Sequence, residues 1–388
     1  MLLRDLIRQR IRSAGPMRFA EYMELALYHP ELGYYARSDQ RSGRAGDFFT
    51  SVDVGPLYGE LLSAQFAQMG EILRPGPAAK SGSIDLVEAA AGNGRLSRDI
   101  LNAARHSFPA FYRALRLTLV ERSETARATH DTTLRDHQSK REPSTATLPA
   151  PITGIVFANE LLDALPVHPV VMGDPGLSEI YVDIVTPSDG RPVRFVERPG
   201  PPGDDVVQHI ARFDIQIPPG ARGEVCPAAV RWVESVGRNL ERGFLVLVDY
   251  GHEAHELYSD THAMGTLTTY TRHVGQTGPD RAGATPPWLD DPGANDITAH
   301  VDLSAIQATA RDSGFETLAV IDQSYFLLGL GATRLTEPAD PVAAIKHRLA
   351  LKTLVVPGGL GSTHKVLIFS KGVDAPPLLA SQFATRLT

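Results

Sequence analysis

From residue 83 onward the chain alternates short, nearly uninterrupted apolar runs with amphipathic stretches. No other feature restricts its fold as much. The runs are SIDLVEAA (83–90), RLTLVER (116–122), ITGIVFANE (152–160) and FLVLVDYG (244–251). RLSRDILNAARHSF (95–108) and a segment around 227–241 carry apolar residues at helical spacing. Strands that are apolar along their whole length and are separated by helices form a parallel sheet covered on both faces. Two late runs, ETLAVID (316–322) and HKVLIFSKG (364–372), fit a sheet that ends in an antiparallel pair. The expected fold class is α/β, with a Rossmann-like sheet.

The rest of the chain surrounds this core. Residues 1–29 read as two helices broken at Gly15–Pro16, and 57–73 as a third. Between them, LGYYARSDQRSGRAGDFFTSVDVGP (32–56) is a long Gly, Ser and Arg-rich loop with embedded aromatics, the mark of a docked functional loop. SEIYVDIVTPSDGRPVRFVERPG (178–200) alternates around Ser188–Asp189–Gly190 and predicts a hairpin. The 388 residues would accommodate two or three units. The surplus is instead expected as elaborations of one domain: a helical extension and lid over 1–75, core over 76–167, an inserted β-element over 168–222, and core again over 223–388 with a substrate loop at 251–302.

Composition excludes several functions. One cysteine rules out an internal disulfide framework and zinc sites built from several thiolates, and no metal ligands are assigned. Lys plus Arg is 38 against 45 Asp plus Glu, a net charge of −7, which argues against general nucleic-acid binding. No run reaches the ~18 apolar residues of a membrane span. The opening MLLRDLIRQRIRSAG lacks an apolar stretch followed by a cleavage site, so the expectation is a cytoplasmic protein without membrane or nucleic-acid partners.

LVEAAAGNGRL (86–96) places Gly92 and Gly94 at the turn from strand to helix, where the backbone comes close to a ligand. Glu88 ends that strand and Glu121 ends the next, where an acid can accept both hydroxyls of a ribose. A dinucleotide motif would need glycine at Ser97, and an acid at 88 is ill suited to a pyrophosphate. It suits an amino group, which points to S-adenosylmethionine rather than a nicotinamide dinucleotide. A purely structural tight turn and an exposed strand-end charge are the plainer readings of these residues.

These segments together resemble the MidA-like methyltransferases, relatives of the mitochondrial complex I assembly-factor arginine methyltransferase. The resemblance runs through FAEYMELALYHPELGYYAR (19–37), GDFFTS (46–51), LVER (119–122), ANELLDALPVH (158–168), GEVCPAAVRWV (223–233), FLVLVDYGH (244–252), GTLTTYTRH (265–273) and DITAHVD (296–302). It implies a class I S-adenosylmethionine-dependent methyltransferase fold and a homodimer. The cofactor would lie against Glu88, Ala90, Gly92, Asn93, Gly94, Glu121 and Asn159, with Thr50 and Ser51 from the long loop. That loop, carrying Tyr34, Tyr35, Asp47 and Phe48, is expected to close over the cofactor as a lid, because a charged methyl donor requires water to be excluded, with Tyr34, Asp47 and Phe48 as substrate-binding residues. The family turn has glycine where this chain has Ala90, a change tolerated if φ is negative there.

ANELLDALPVH follows its strand directly, placing Asn159 and Glu160 at the sheet's carboxyl edge. One helical turn would set Glu160 and Asp163 on the same face. Two carboxylates suit a planar cationic nucleophile such as a guanidinium and would orient it and take its proton. Alternatively, Asp163 caps a local helix and Glu160 is a strand-end charge. His300 is a candidate substrate-pocket catalyst. Asp302 is either a substrate contact or the cap of a helix beginning at Leu303. The expected activity is N-methylation of arginine, in a protein or as the free amino acid or another small metabolite. The competing readings are an O-methyltransferase of small natural products and a non-catalytic assembly factor that retains the fold.

Overall fold

The computed structural model describes residues 2–36, 50–74, 82–186, 193–271, 274–278, 285–335, 339–356, 360–374 and 376–380. The chain divides into two compact units. One gathers Met1–Phe48, Leu162–Trp232 and Gly251–Ala308; the other gathers Phe49–Leu161, Val233–Tyr250 and Thr309–Thr388.

The second unit holds the α/β core. Its strands are β1 (Ile84–Ala89), β2 (Leu115–Val120), β3 (Ile152–Asn159), β4 (Leu240–His252), β5 (Glu316–Asp322) and β6 (His364–Lys371), in the spatial order β2-β1-β3-β4-β6-β5. The first four are mutually parallel, whereas β6 runs antiparallel to both β4 and β5. The expected parallel sheet and antiparallel end are therefore present. The β1, β3 and β4 side chains are almost all buried, as their unbroken apolar runs require. The helix Arg95–Ser107 buries Leu96, Ile100, Leu101 and Ala104, one face of a helical repeat. It meets the helix Pro56–Leu73 closely at Gly59, where an added Cβ would come within 2.7 Å of the Asp99 Cβ.

The chain leaves β1 toward β2 on one side and returns to β3 on the other. This reversal of strand order opens a crevice at the carboxyl ends of β1 and β3, the place where open α/β sheets bind ligands.

The first unit is where expectation and structure part. The N-terminal extension, inserted element and late loop do not simply elaborate the core. They form one compact unit with its own hydrophobic clusters. Contiguous segment boundaries could not show this, because the unit is assembled from three separated stretches. Its helices Leu3–Ala14 and Phe19–Tyr28 are broken near Gly15–Pro16 as expected. The hairpin is also present: Gly176–Val185 pairs antiparallel with Arg194–Gly200, and its Ser188–Asp189–Gly190 tip lies outside the described residues. A buried ionic group stitches this sheet. Glu179 accepts from Arg18 Nε at 2.8 Å and Nη2 at 3.0 Å, pairs with His168 Nδ1 at 2.8 Å, and accepts from the Gly203 N–H at 2.9 Å.

Candidate functional site

At the end of β1 the chain makes three left-handed excursions before the helix. Gly92 and Gly94 have φ of 53° and 78°. At Gly94 a Cβ would meet Leu119 Cδ1 at 3.0 Å as well as adopting a strained backbone, so glycine is required twice over. Ala90 also has a positive φ, 54°, contrary to the expectation of a negative one. The family glycine position is a true left-handed position, and this chain holds an L-residue there at a cost of about 1–2 kcal/mol.

Glu121 locks the turn. Its Oε2 accepts from the Gly92 N–H at 2.9 Å and its Oε1 from the Ser123 N–H at 2.7 Å. His130, which drew no attention in the sequence, is buried behind the turn, with Nε2 2.8 Å from the Gly92 carbonyl and Nδ1 2.8 Å from Ser144 Oγ. Burial holds its pKa below the usual histidine range. Asn93 Oδ1 accepts from the Arg95 N–H at 3.1 Å, capping the helix start.

Glu88 departs from its expected role. It is buried beneath the turn and hydrogen-bonds Ser97 Oγ, so it supports the turn from below. Burial pushes its carboxyl up to about 8, partly offset by the Ser97 hydrogen bonds. Thr50 and Ser51 are likewise engaged locally. Thr50 Oγ1 accepts from the Val52 N–H at 3.2 Å while its own N–H donates to Asp53 at 3.0 Å, forming a capping box. Ser51 is buried and donates to Gln323 Oε1 at 3.1 Å. Asp53 in turn pairs with Arg95, fastening this short helix to the glycine turn.

At the end of β3 the structure assembles a relay that the sequence signalled only in part. The Tyr58 hydroxyl donates to Asn159 Oδ1 at 2.9 Å, and Asn159 Nδ2 donates to Glu160 Oε1 at 2.9 Å. His364, from the start of β6, places Nε2 3.5 Å from the same Oε1. Both contacts address Oε1; among the described residues, no hydrogen bond or ion pair engages Oε2. Burial, then the charge of Glu160, raises the Tyr58 pKa, so this hydroxyl stays protonated and donating. Neither Tyr58 nor His364 belongs to a motif, since both reach the edge from remote parts of the chain.

Glu160 has a φ of 53°, and its N–H continues the ladder to the Val248 carbonyl at 2.8 Å. A left-handed residue cannot start a right-handed helix. Residues 160–165 accordingly form bends and a turn, not the helical turn expected to align Glu160 with Asp163. Glu160 belongs to the second unit and Asp163 to the first.

Within the first unit, Asp163 is buried, and its carbonyl accepts from the Ala299 N–H at 3.0 Å. Tyr34 is not a pocket residue: it is wholly buried in the apolar cluster around Phe19, Tyr22 and Trp288. Tyr35 stacks on Tyr28 and donates to Asp296 Oδ1 at 2.9 Å. Asp47 and Phe48, with the centre of the expected lid, lie outside the described residues. Asp302 takes the capping reading, accepting from the Ala305 N–H at 2.9 Å at the head of the helix Leu303–Asp312. His300 lies beside His252, with ring centroids 5.1 Å apart and the rings tilted by 31°. Its pKa is pushed down to about 4, by burial first and then by the neighbouring imidazoles His252 and His262.

A glycine turn that opens a helix, an acid closing the next strand and a sheet ending antiparallel define a Rossmann-like fold of the class I methyltransferase type. Residues 61–321 match the family described as S-adenosyl-L-methionine-dependent methyltransferases, and the chain belongs to this family. It is 29% identical to the mouse mitochondrial protein arginine methyltransferase NDUFAF7 over 355 residues, covering 85% of this chain and 74% of that protein. The fruit-fly homologue is 26% identical over 409 residues, covering 96% and 85%. A COG1565 superfamily member from Burkholderia thailandensis, solved bound to S-adenosyl-homocysteine, is 30% identical with a TM-score of 0.83, covering 98% of this chain and 95% of that one.

S-adenosylmethionine suits the residues at this edge. An added Cβ at Gly92 would meet nothing within 4 Å, so there is open space over the turn. Ala90, Gly92 and Asn93 are exposed around it. The Glu121 and Glu160 carboxylates keep further acceptor lone pairs beside their present hydrogen bonds, which suit hydroxyl and amino donors and a nearby cation. The protein is an S-adenosylmethionine-dependent methyltransferase.

Proposed function

We propose that the methyl acceptor is a guanidino nitrogen of arginine, presented by a protein. The observation that carries this reading is Glu160, a carboxylate at the switch-point edge whose Oε1 accepts from Asn159 Nδ2, with His364 Nε2 3.5 Å away, while Oε2 stays unengaged among the described residues. The arginine methyltransferase relatives support it.

In this reading the backbone from Ala90 to Gly94 and the Glu121 carboxylate hold the cofactor, and Asn159 helps to seat it. Bound S-adenosylmethionine supplies an electrophilic methyl on a sulfonium. Glu160 pairs with the guanidinium N–H groups, turns one nitrogen toward the methyl carbon, and accepts the proton that this nitrogen gives up as the N–C bond forms. The products are the methylated guanidine and S-adenosyl-homocysteine. Positioning and electrostatics supply the rate, since the leaving group needs no protonation.

The test is mass spectrometry. The protein and S-adenosylmethionine are incubated with free arginine or with an arginine-containing protein extract. Products heavier by about 14 or 28 Da on arginine in the extract support the reading. Methylation only of hydroxyl metabolites would replace it with O-methyl transfer. Absence of product with intact cofactor binding would favour an assembly factor. We also propose a cytoplasmic homodimer, on the strength of the sequence reading alone, to be checked by fractionation and sedimentation.

A further inference from the structure

Three histidines of the first unit converge, two of them from separate family motifs and the third from a segment with no motif. His252 ends β4, His262 ends a short 3-10 turn at Asp260–His262, and His300 precedes the two-residue strand Val301–Asp302. One ring nitrogen from each lies within 4.8 Å of those of the other two. The ring centroids are 4.6 Å apart for His252 and His262, 5.1 Å for His252 and His300, and 6.0 Å for His262 and His300.

The backbone under these rings is fixed from several directions. Gly251 and His252 pair in parallel with Val301 and Asp302. The His300 N–H donates to Thr266 Oγ1 at 3.0 Å, and the Ala254 N–H donates to Ser304 Oγ at 2.9 Å. The outer nitrogens are also oriented. His252 Nδ1 lies 3.1 Å from a Glu256 carboxylate oxygen, and His262 Nδ1 lies 3.0 Å from the Glu256 carbonyl. A ring that donates through Nδ1 presents the lone pair of Nε2. A carboxylate or carbonyl behind the imidazole is the arrangement that orients histidine toward a metal. A cation between the rings would take one nitrogen from each.

We propose that His252, His262 and His300 form a binding site for one divalent transition-metal ion of the zinc, cobalt or nickel class, with Glu256 orienting two of the three ligands. Imidazole donors select such ions over magnesium or calcium. Tetrahedral coordination at about 2.0–2.1 Å needs ligand nitrogens a little over 3 Å apart, within reach of modest ring rotations from the present spacing. The three histidines supply three positions, leaving a further one for water or a small anion. All three are partly exposed, so an ion can enter. Once bound it would cross-link positions 252, 262 and 300. The proposal is independent of the methyl-acceptor reading.

Cobalt(II) titration of the full chain, tag-free and freed of metal by chelator dialysis, tests this. The expected result is visible d–d absorption saturating at one equivalent per chain and abolished by zinc. Thermal melting should rise with zinc concentration, because the ion binds the folded state. His262→Ala, checked for folding by far-UV circular dichroism, should weaken binding at least tenfold, and Glu256→Gln by about tenfold. The proposal is overturned if the wild-type chain shows no saturable one-equivalent binding. It is equally overturned if folded His262→Ala binds cobalt as the wild type does.

Discussion

Ala90 and Glu160 follow the neighbouring parallel strands β1 and β3, and both are L-residues held in the left-handed region, with φ of 54° and 53°. Strain of this kind persists where the surrounding structure over-determines it, and it concentrates at ligand-binding edges. Here the two positions flank the crevice where the sheet order reverses.

Replacing Ala90 with glycine should relieve the strain, and glycine's greater freedom in the unfolded chain should offset part of the gain. Stability is expected to stay level or to rise by up to about 1 kcal/mol. A β-branched residue is much less tolerant of positive φ, so Ala90→Val should cost about 2 kcal/mol and weaken S-adenosyl-homocysteine binding. Urea unfolding and calorimetry read both effects. A valine variant as stable as the wild type would show that the position is not strained.

Glu160→Gln keeps the shape and the acceptor for Asn159 but removes the charge and the proton acceptor. A fall in kcat of about 10²–10³-fold is expected, in the range attributed to a positioned general base. Cofactor affinity should be nearly unchanged. Single-turnover assays with S-adenosylmethionine separate the two quantities, and an unaltered kcat would remove Glu160 from the reaction.

Glu88 sets a pH dependence of stability. Its carboxyl rises from 4.5 to about 8 on folding, so the folded state holds a proton that the unfolded state has released. Stability should therefore fall as pH rises from about 4.5 to 8 and level off above that. Glu88→Gln keeps a partner for Ser97 without the ionisation, and its unfolding free energy should be flatter across pH 5 to 9.

Glu179 gives the opposite slope. Burial alone would raise its pKa, but His168, Arg18 and the Gly203 N–H outweigh that and hold it down to about 2. Its contribution is complete above the ordinary 4.5 and is lost as pH falls from there toward 2. Glu179→Ala leaves Arg18 and His168 without their shared carboxylate and should destabilise the first unit by about 3 kcal/mol at pH 7. A loss below about 1 kcal/mol in urea unfolding would mean that solvent replaces the pairing.

The α/β core was legible because its evidence is local. Strands buried on both faces must be apolar throughout, helices on their faces must repeat every three to four residues, and the turn before Arg95 must contain glycine. The run of β1 through β4, the antiparallel end and the Glu121 position follow from those rules, and the family motifs add the activity. Side-chain engagement did not follow. Thr50, Ser51 and Glu88 have the right chemistry for a ligand, yet hydrogen bonds to Asp53, Gln323 and Ser97 occupy them. Nothing in the sequence ranks these partners above a cofactor.

The sequence by itself determined which segments become sheet and helix, where the chain turns sharply, and that an acid waits at the end of the second core strand. Only the tertiary structure decided that three separated stretches form a unit of their own. It also decided that Tyr58 and His364 meet at Asn159 and Glu160, and that His252, His262 and His300 share one small volume. Secondary structure is written in spacings of two to four residues. A site is written in distances between side chains that lie tens to hundreds of positions apart, and those distances exist only after the chain has packed.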